Sequence, residues 1–204
     1  MNQPEVVMIG MGYIGLPTAA LIAQNKRYVH GVDINPEVVE TINAGKIHIV
    51  EPELDEAVLK AVTHGYLKAA ITPVKANTYI IVVPTPFKDK NQPDISFVKA
   101  ATLAIIPLLK EEDLYIIEST SPIGTTERML ELIYEHRPEL KGKLYVAYCP
   151  ERVLPGNVMF ELVNNDRVIG GVDDVSTDKA AEFYAQFIKG TLHKTNARTA
   201  EMCK

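Results

Sequence analysis

The chain has 204 residues, 47% of them hydrophobic and 23% charged, with a formal net charge of −5. That balance is ordinary for a globular protein, and with no basic block anywhere, nucleic acid is not an expected partner. No long uncharged apolar run or leader-like segment is visible, so no membrane partner is expected, and two cysteines are too few for a disulfide framework, which makes a reducing cytoplasm the default location. In chain order, "EVVMIG" predicts a buried strand, followed by a helix near Tyr13–Gln24. "YVHGVD" predicts a second strand and Pro36–Ala44 a helix. "IHIVEP" reads as a loop, "ELDEAVLKAVTHG" as a helix ending at Gly65. "LKAAIT" and "TYIIVV" read as strands, "ISFVKAATLAIIPLL" as a helix, "LYIIEST" as a strand and "TTERMLELIYEH" as a helix. "LYVAYC" is a sixth strand-length run. "RVIGG" and "LHKT" then bracket a helix near Ser176–Ile188. Wholly apolar strands alternating with helices predict an α/β doubly wound, mostly parallel sheet of the Rossmann-like kind.

The first strand runs into Gly10, Gly12 and Gly15 and then a helix, the context a G-x-G-x-x-G dinucleotide loop requires. Gly10 permits the tight turn, Gly12 lets backbone approach a pyrophosphate, and Gly15 lets the helix pack close to the strand. Asp33 ends the second strand about 20 residues on, where a carboxylate accepts the ribose hydroxyls of the adenosine. A 2′-phosphate would be repelled there and no Arg follows directly, so NAD is favoured over NADP. The plainer alternative is that Asp33 merely ends the strand or caps the helix starting at Pro36.

In such sheets ligands lie at the carboxyl ends of the strands, which directs attention to three loops. Pro84 to Phe87 is stiffened by two prolines and presents Thr85. Glu118 to Glu127 carries five hydroxyl side chains, of which Thr125 or Thr126 is suited to cap the next helix. Cys149 to Asn157 sets Glu151 beside Arg152 between two prolines. Glu151 is a candidate general base, and Arg152 a candidate receiver of a carboxylate or phosphate; a local Glu–Arg pair is the bland alternative. Cys149 closes a buried-looking strand with no His pattern near it and reads as a core residue, not a nucleophile. The five His show no metal-ligand spacing, so no metal is expected.

Taken together, "GMGYIGLPTAALIA", "GVDIN", "VPTPF", "ESTSPIGTTE", "CPERVLPGN" and "TAEMCK" resemble, in order and over essentially the whole chain, the UDP-glucose/GDP-mannose dehydrogenase family. The resemblance implies oxidation of the C6 hydroxyl of a nucleotide sugar to a carboxylate with two NAD. It puts Tyr13, Ile14 and Asp33 on the adenosine half of NAD and the glycine loop on the pyrophosphate. Pro84, Thr85 and Thr126 become further NAD contacts, and Thr120 both a cofactor contact and a water-positioning residue. Glu151 is tied to the hydrolytic second half of the reaction. Arg152 and Val153 touch the nucleotide sugar, and Lys204 acts as acid/base and oxyanion partner near C6.

Two departures qualify this. Pro155 stands where UDP-glucose dehydrogenases carry a second Glu, and "ERVLPG" replaces the "EREDPG" usual in UDP-N-acetylglucosamine 6-dehydrogenases. Together with "IHIVEP", the loop points to a UDP-linked N-acetylhexosamine, UDP-N-acetyl-D-mannosamine first, with the glucose and N-acetylglucosamine nucleotides as alternatives. The second departure is length. The family chain is about twice as long, so 1–197 is expected to be the NAD-binding domain and 198–204 the start of a central dimerisation helix. A UDP-binding domain carrying the nucleophilic cysteine is expected outside this chain. The full-length protein is expected to be a homodimer serving cell-envelope polysaccharide precursors, and this chain to bind NAD without turnover. Competing readings are a related β-hydroxy-acid or sugar-phosphate dehydrogenase, a non-catalytic NAD-sensing module, and a nucleotide-binding fold without NAD.

Overall fold

The computed structural model describes residues 4–88 and 92–204. Its strands are β1 (Val6–Ile9), β2 (Val29–Val32), β3 (Leu67–Ala70), β4 (Thr78–Ile81), β5 (Phe87–Lys88), β6 (Gln92–Pro93), β7 (Leu114–Ile117), β8 (Tyr145–Tyr148), β9 (Arg167–Gly171) and β10 (Leu192–Asn196). Its helices are α1 (Gly15–Gln24), α2 (Pro36–Asn43), α3 (Leu54–Thr63), α4 (Ser96–Ile105), α5 (Thr125–His136), α6 (Val158–Asn164), α7 (Asp174–Tyr184) and α8 (Ala197–Met202). Eight strands form one sheet in the order β10-β9-β8-β7-β4-β1-β2-β3, and β5 pairs with β6 in a separate hairpin.

The central strands are apolar throughout because both faces are covered. Val6 and Met8 of β1 belong to one buried cluster with Leu16, Ile22 and Leu54; Val7 and Ile9, one residue out of phase, belong to another with Tyr79, Ile105 and Ile133. Alternate side chains point to opposite faces, so a four-residue strand feeds two cores. Burying one such Leu or Ile side chain contributes about 1.5–3 kcal/mol. The rim strands relax this rule: β3 alternates buried and exposed residues, and β10 is largely exposed.

Strand order places the site. β1 pairs in parallel with β2 on one side and β4 on the other, so the crossover direction reverses between β1 and β4 and a crevice opens beyond their carboxyl ends. A second reversal occurs at β8 and β9, which pair antiparallel, Ala147 with Gly171 and Tyr148 with Gly170. Carrying that register outward sets Arg167, the first residue of β9, level with Glu151 in the loop after β8. The one antiparallel step therefore delivers a strand's amino end to the edge where its parallel neighbours present their carboxyl ends. The hairpin, α6 and the antiparallel pairing are not foreseen from the sequence.

Candidate active site

Gly10 takes φ +97°, and a Cβ there would lie 2.3 Å from the Val82 carbonyl oxygen. A Cβ on Gly15 would lie 1.8 Å from the carbonyl oxygen of Gly10. Both glycines are thus demanded by the protein's own backbone packing. Gly12 differs: a Cβ there would meet nothing within 4 Å. Its space is open, and the backbone N–H groups of Gly12, Tyr13 and Ile14 find no acceptor among the described residues. α1 begins at Gly15 with no side-chain cap. The turn offers unpaired donors and the positive end of a helix to one point in space, which suits a pyrophosphate.

Asp33 follows β2 at the rim of this turn. Its Oδ2 accepts from the Met11 N–H at 3.0 Å, and its Oδ1 from the Asn35 N–H at 3.0 Å. The cap of α2 is Asn35, whose side chain accepts from the Glu37 N–H at 3.0 Å. The capping role considered for Asp33 is therefore taken by Asn35, and Asp33 is locked to the glycine loop. Between the two opens a cavity of 640 Å³, within the usual range for small-molecule sites. Ile34, Ile71 and Phe97 form an apolar flank near Asp33; Pro84 and Thr85 stand along the wall; Ser119, Thr120, Glu118, Glu151 and Lys204 close the far end.

Behind the exposed Thr120 and Lys204, that end holds a buried charged network. Glu118, Glu151 and Arg167 are each 2–3% exposed. Arg167 Nη2 lies 2.5 Å from Glu151 Oε2, and Nη1 lies 3.8 Å from Glu118 Oε1. Tyr184 donates its hydroxyl to Glu118 Oε1 at 2.5 Å, and the Arg167 guanidinium lies over the Tyr184 ring, 5.4 Å from its centre. Burial pushes the Glu118 carboxyl up to about 7, against the opposing pull of Arg167 and Tyr184 and with Glu151 adding to the rise. Glu151 Oε1 accepts from the Arg152 N–H at 2.7 Å, and Lys204 Nζ donates to the Glu151 carbonyl. Partial burial of the Lys204 amine lowers its pKa; Glu151 opposes that shift, and Arg152 and Arg167 add to it. Cys149 is fully buried beside this network, and burial pushes its thiol up to about 12, so it stays protonated and unreactive at neutral pH.

Residues 4–188 match the NAD binding domain of the UDP-glucose/GDP-mannose dehydrogenase family. The chain belongs to this family. It is 51% identical, over 212 aligned residues, to a UDP-N-acetyl-D-mannosamine dehydrogenase of Escherichia coli (strain K12), covering 100% of this chain and 50% of that protein. It is 50% identical to an NDP-N-acetyl-D-galactosaminuronic acid dehydrogenase of Ralstonia nicotianae, covering 98% of this chain and 49% of that one. A solved UDP-D-ManNAc dehydrogenase from Pyrococcus horikoshii superposes with a TM-score of 0.95 at 41% identity, over 98% of this chain and 49% of that structure. The chain spans about half the length of the curated relatives it matches. The cofactor of this family domain is NAD, and the open Gly12 turn and the anchored Asp33 fit it.

Of the residues singled out in the sequence, Gly10, Gly12, Tyr13, Ile14, Asp33, Pro84, Thr85, Thr120, Glu151 and Lys204 share the one cavity. Gly15 sits just behind it, supporting the turn. Three do not reach it. Thr126 is buried at the start of α5, where its hydroxyl donates to Glu201 Oε1 at 2.6 Å and its N–H to the same oxygen at 2.7 Å. The Glu201 carboxylate, which also accepts from the Gly124 N–H at 2.6 Å, fills this helix terminus in place of a phosphate. Nor do Thr125 and Thr126 cap α5: its N-cap is Gly124. Arg152 turns its guanidinium to the Asp166 carbonyl at 2.9 Å, and Val153 packs on the hydrophobic core. The local Glu151–Arg152 ion pair is replaced by the pairing of Glu151 with Arg167.

Three functional candidates escape sequence reasoning. Glu118 is visible only as one letter in a hydroxyl-rich loop, and Arg167 only as the start of a strand. Glu51, inside "IHIVEP", is 5% exposed and accepts from the Tyr13 hydroxyl and from the Gly156 N–H at 3.0 and 3.1 Å. It ties the glycine loop to the loop carrying Glu151. The segment is singled out in the sequence only through the resemblance of "IHIVEP", and Glu51 itself is an acid beside a proline with no helical or strand period around it. Among the described residues no group of His, Cys, Asp and Glu is arranged to hold a metal, and no helix is long and apolar enough to cross a membrane.

Proposed function

We propose that this chain is the NAD-binding half of a nucleotide-sugar 6-dehydrogenase that converts UDP-N-acetyl-D-mannosamine to UDP-N-acetyl-D-mannosaminuronate, a four-electron oxidation using two NAD. The observation that carries the reading is the meeting of Lys204 and Glu151 at the end of the cavity that begins at the glycine loop. NAD, when bound, accepts the hydride that leaves C6.

This chain's residues supply the rest. The N–H groups of the Gly12 turn bind the pyrophosphate, and Asp33 accepts the ribose hydroxyls, selecting NAD over its 2′-phosphorylated form. Lys204, its pKa lowered chiefly by burial, takes the proton of the C6 hydroxyl more readily than an ordinary lysine. As a cation it then steadies the oxygen as negative charge develops there. Glu151, its carboxylate fixed by Arg167 and the Arg152 N–H, activates the water that releases the acid in the second half. Thr120, exposed at the cavity wall, holds that water. The thiol that carries the intermediate, the residues that bind UDP and the homodimer contacts belong to the remainder of the family protein, so the present chain alone binds NAD without turnover.

Two measurements test this. Calorimetric titration of the protein with NAD and NADP is expected to favour NAD, with Asp33→Ala losing about 2 kcal/mol of NAD affinity, roughly 30-fold in Kd. Equal binding of both nucleotides by the wild type overturns the role of Asp33. The full-length protein, given the UDP-linked N-acetylmannosamine, N-acetylglucosamine and glucose, is expected to prefer the first and to release two NADH per sugar oxidised. One NADH per sugar, or preference for either of the others, overturns the assignment.

A further inference from the structure

At the far wall of the cavity two carboxylates, Glu118 and Glu151, and the Arg167 guanidinium behind them are nearly sealed from water, with the partly buried Lys204 amine at the cavity side. Two ionised carboxylates would leave a net negative charge in a dry interior, an arrangement of high energy. A proton on one of them relieves that charge within the sealed part of the network, which Lys204, being only partly buried, does not fully offset. Geometry decides which. Arg167 stands 2.5 Å from Glu151 but 3.8 Å from Glu118. Glu151 also accepts the Arg152 N–H at 2.7 Å. Glu118 has the Tyr184 hydroxyl on Oε1 and no hydrogen-bond partner on Oε2; Glu151 Oε2 also lacks a hydrogen-bond partner but faces Arg167 Nη2 at 2.5 Å, which leaves Glu118 Oε2 as the oxygen where a proton can reside.

We propose that Glu118 carries a proton near neutral pH and so leaves the Arg167 guanidinium to Glu151, making Glu118 a positioning residue for the Glu151 carboxylate.

The groups facing Glu118 from each surrounding element are consistent with this. Arg167 comes from β9 and Tyr184 from α7; Cys149 and Glu151 come from the end of β8 and its loop, and Lys204 from beyond α8. Tyr184 cannot compete as an anion, because burial raises its pKa well above the usual phenol range. The Cys149 thiol is likewise held neutral by burial. Lys204 pulls the other way, as a cation favouring ionised Glu118, and Arg167 does so more strongly; burial outweighs both and places the titration near 7. Glu118 lines the cavity, so its proton exchanges without unfolding. As the pH rises past neutrality Glu118 ionises and competes for Arg167, and the grip on Glu151 loosens. The inference rests on the proposed role of Glu151 only for its consequence. The protonation itself is measured without turnover.

The experiment is a pH titration of the protein labelled with carboxyl-¹³C glutamate, followed by NMR in the wild type, Glu118→Gln and Glu151→Gln. One glutamate is expected to titrate near neutrality in the wild type and to be missing in Glu118→Gln. In Glu151→Gln that midpoint is expected to fall by roughly one pH unit or more, because the guanidinium passes to Glu118 and a negative neighbour is gone. The proposal is overturned if no glutamate titrates near neutrality. It is also overturned if the near-neutral signal survives in Glu118→Gln, or if Glu151→Gln leaves its midpoint unmoved or removes it. Should Glu118→Gln fail to fold, sequential assignment in the wild type and the Glu151→Gln arm still decide. An intact titration with an inactive full-length enzyme would fault the proposed function and leave this network standing.

Discussion

At the β1–α1 end of the cavity, polar contacts are offered by backbone atoms of residues adjacent in the chain; at the β8–β9 end they are made by side chains drawn from Glu118 to Lys204. The first end works through what is missing: no Cβ on Gly10, Gly12 or Gly15, and no cap on α1. It stays open, and its donors keep their hydration until a ligand replaces water. The second end works through what is enclosed. Its charges have given up water and depend on one another, so removing one member strands the rest. Glu51 joins the two, accepting from Tyr13 on one side and Gly156 on the other. A backbone site tolerates an empty state at little cost, whereas a buried charge network has to be satisfied whether or not a ligand is present.

The contrast can be broken most severely at Arg167. Arg167→Met leaves the buried Glu151 carboxylate without its guanidinium partner and is expected to destabilise the fold by about 3–5 kcal/mol at neutral pH, in denaturant melts. A loss below about 1 kcal/mol would mean that water reaches the network and the contrast fails.

Within the glycine loop the same distinction separates two residues of one motif. Gly15→Ala drives a methyl into the Gly10 carbonyl and is expected to cost about 3 kcal/mol of stability. Gly12→Ala, with open space before it, should change stability by less than about 0.5 kcal/mol yet weaken NAD binding in the same calorimetric assay. Equal stability losses would show that both glycines serve packing alone.

The contrast is sharpened last by the pH dependence of stability, an effect spread over several pH units. Glu118 is raised from 4.5 to about 7 in the fold. The folded state therefore binds more protons than the unfolded one across that window. Its contribution is fully present below pH 4.5 and is lost as the pH rises through about 7, at most about 3 kcal/mol. Urea midpoints of the wild type should fall between about pH 5 and about pH 8, and Glu118→Gln should flatten that part of the slope. Parallel slopes would assign the pH dependence to other groups.

Much of this was legible in the chain itself. The alternation of apolar strands and helices, the turn at Gly10, the carboxylate at Asp33 and the loops at Thr85, Thr120 and Glu151 are local patterns, because backbone conformation and strand burial are decided by near neighbours. The glycine loop with Asp33 also pointed to NAD, and the motifs resembling the dehydrogenase family extended that reading to the nucleotide sugar and to Lys204. What only the tertiary structure decided was which side chains meet. Thr126 was withdrawn from the cavity by Glu201, and Arg152 by the Asp166 carbonyl. Arg167 became the partner of Glu151 because β9 runs antiparallel to β8, a reversal that no periodicity announces since a strand reads alike in either direction. Glu118 acquired its proton affinity from burial among residues far away in sequence, and desolvation is a property of the packed interior, not of the chain.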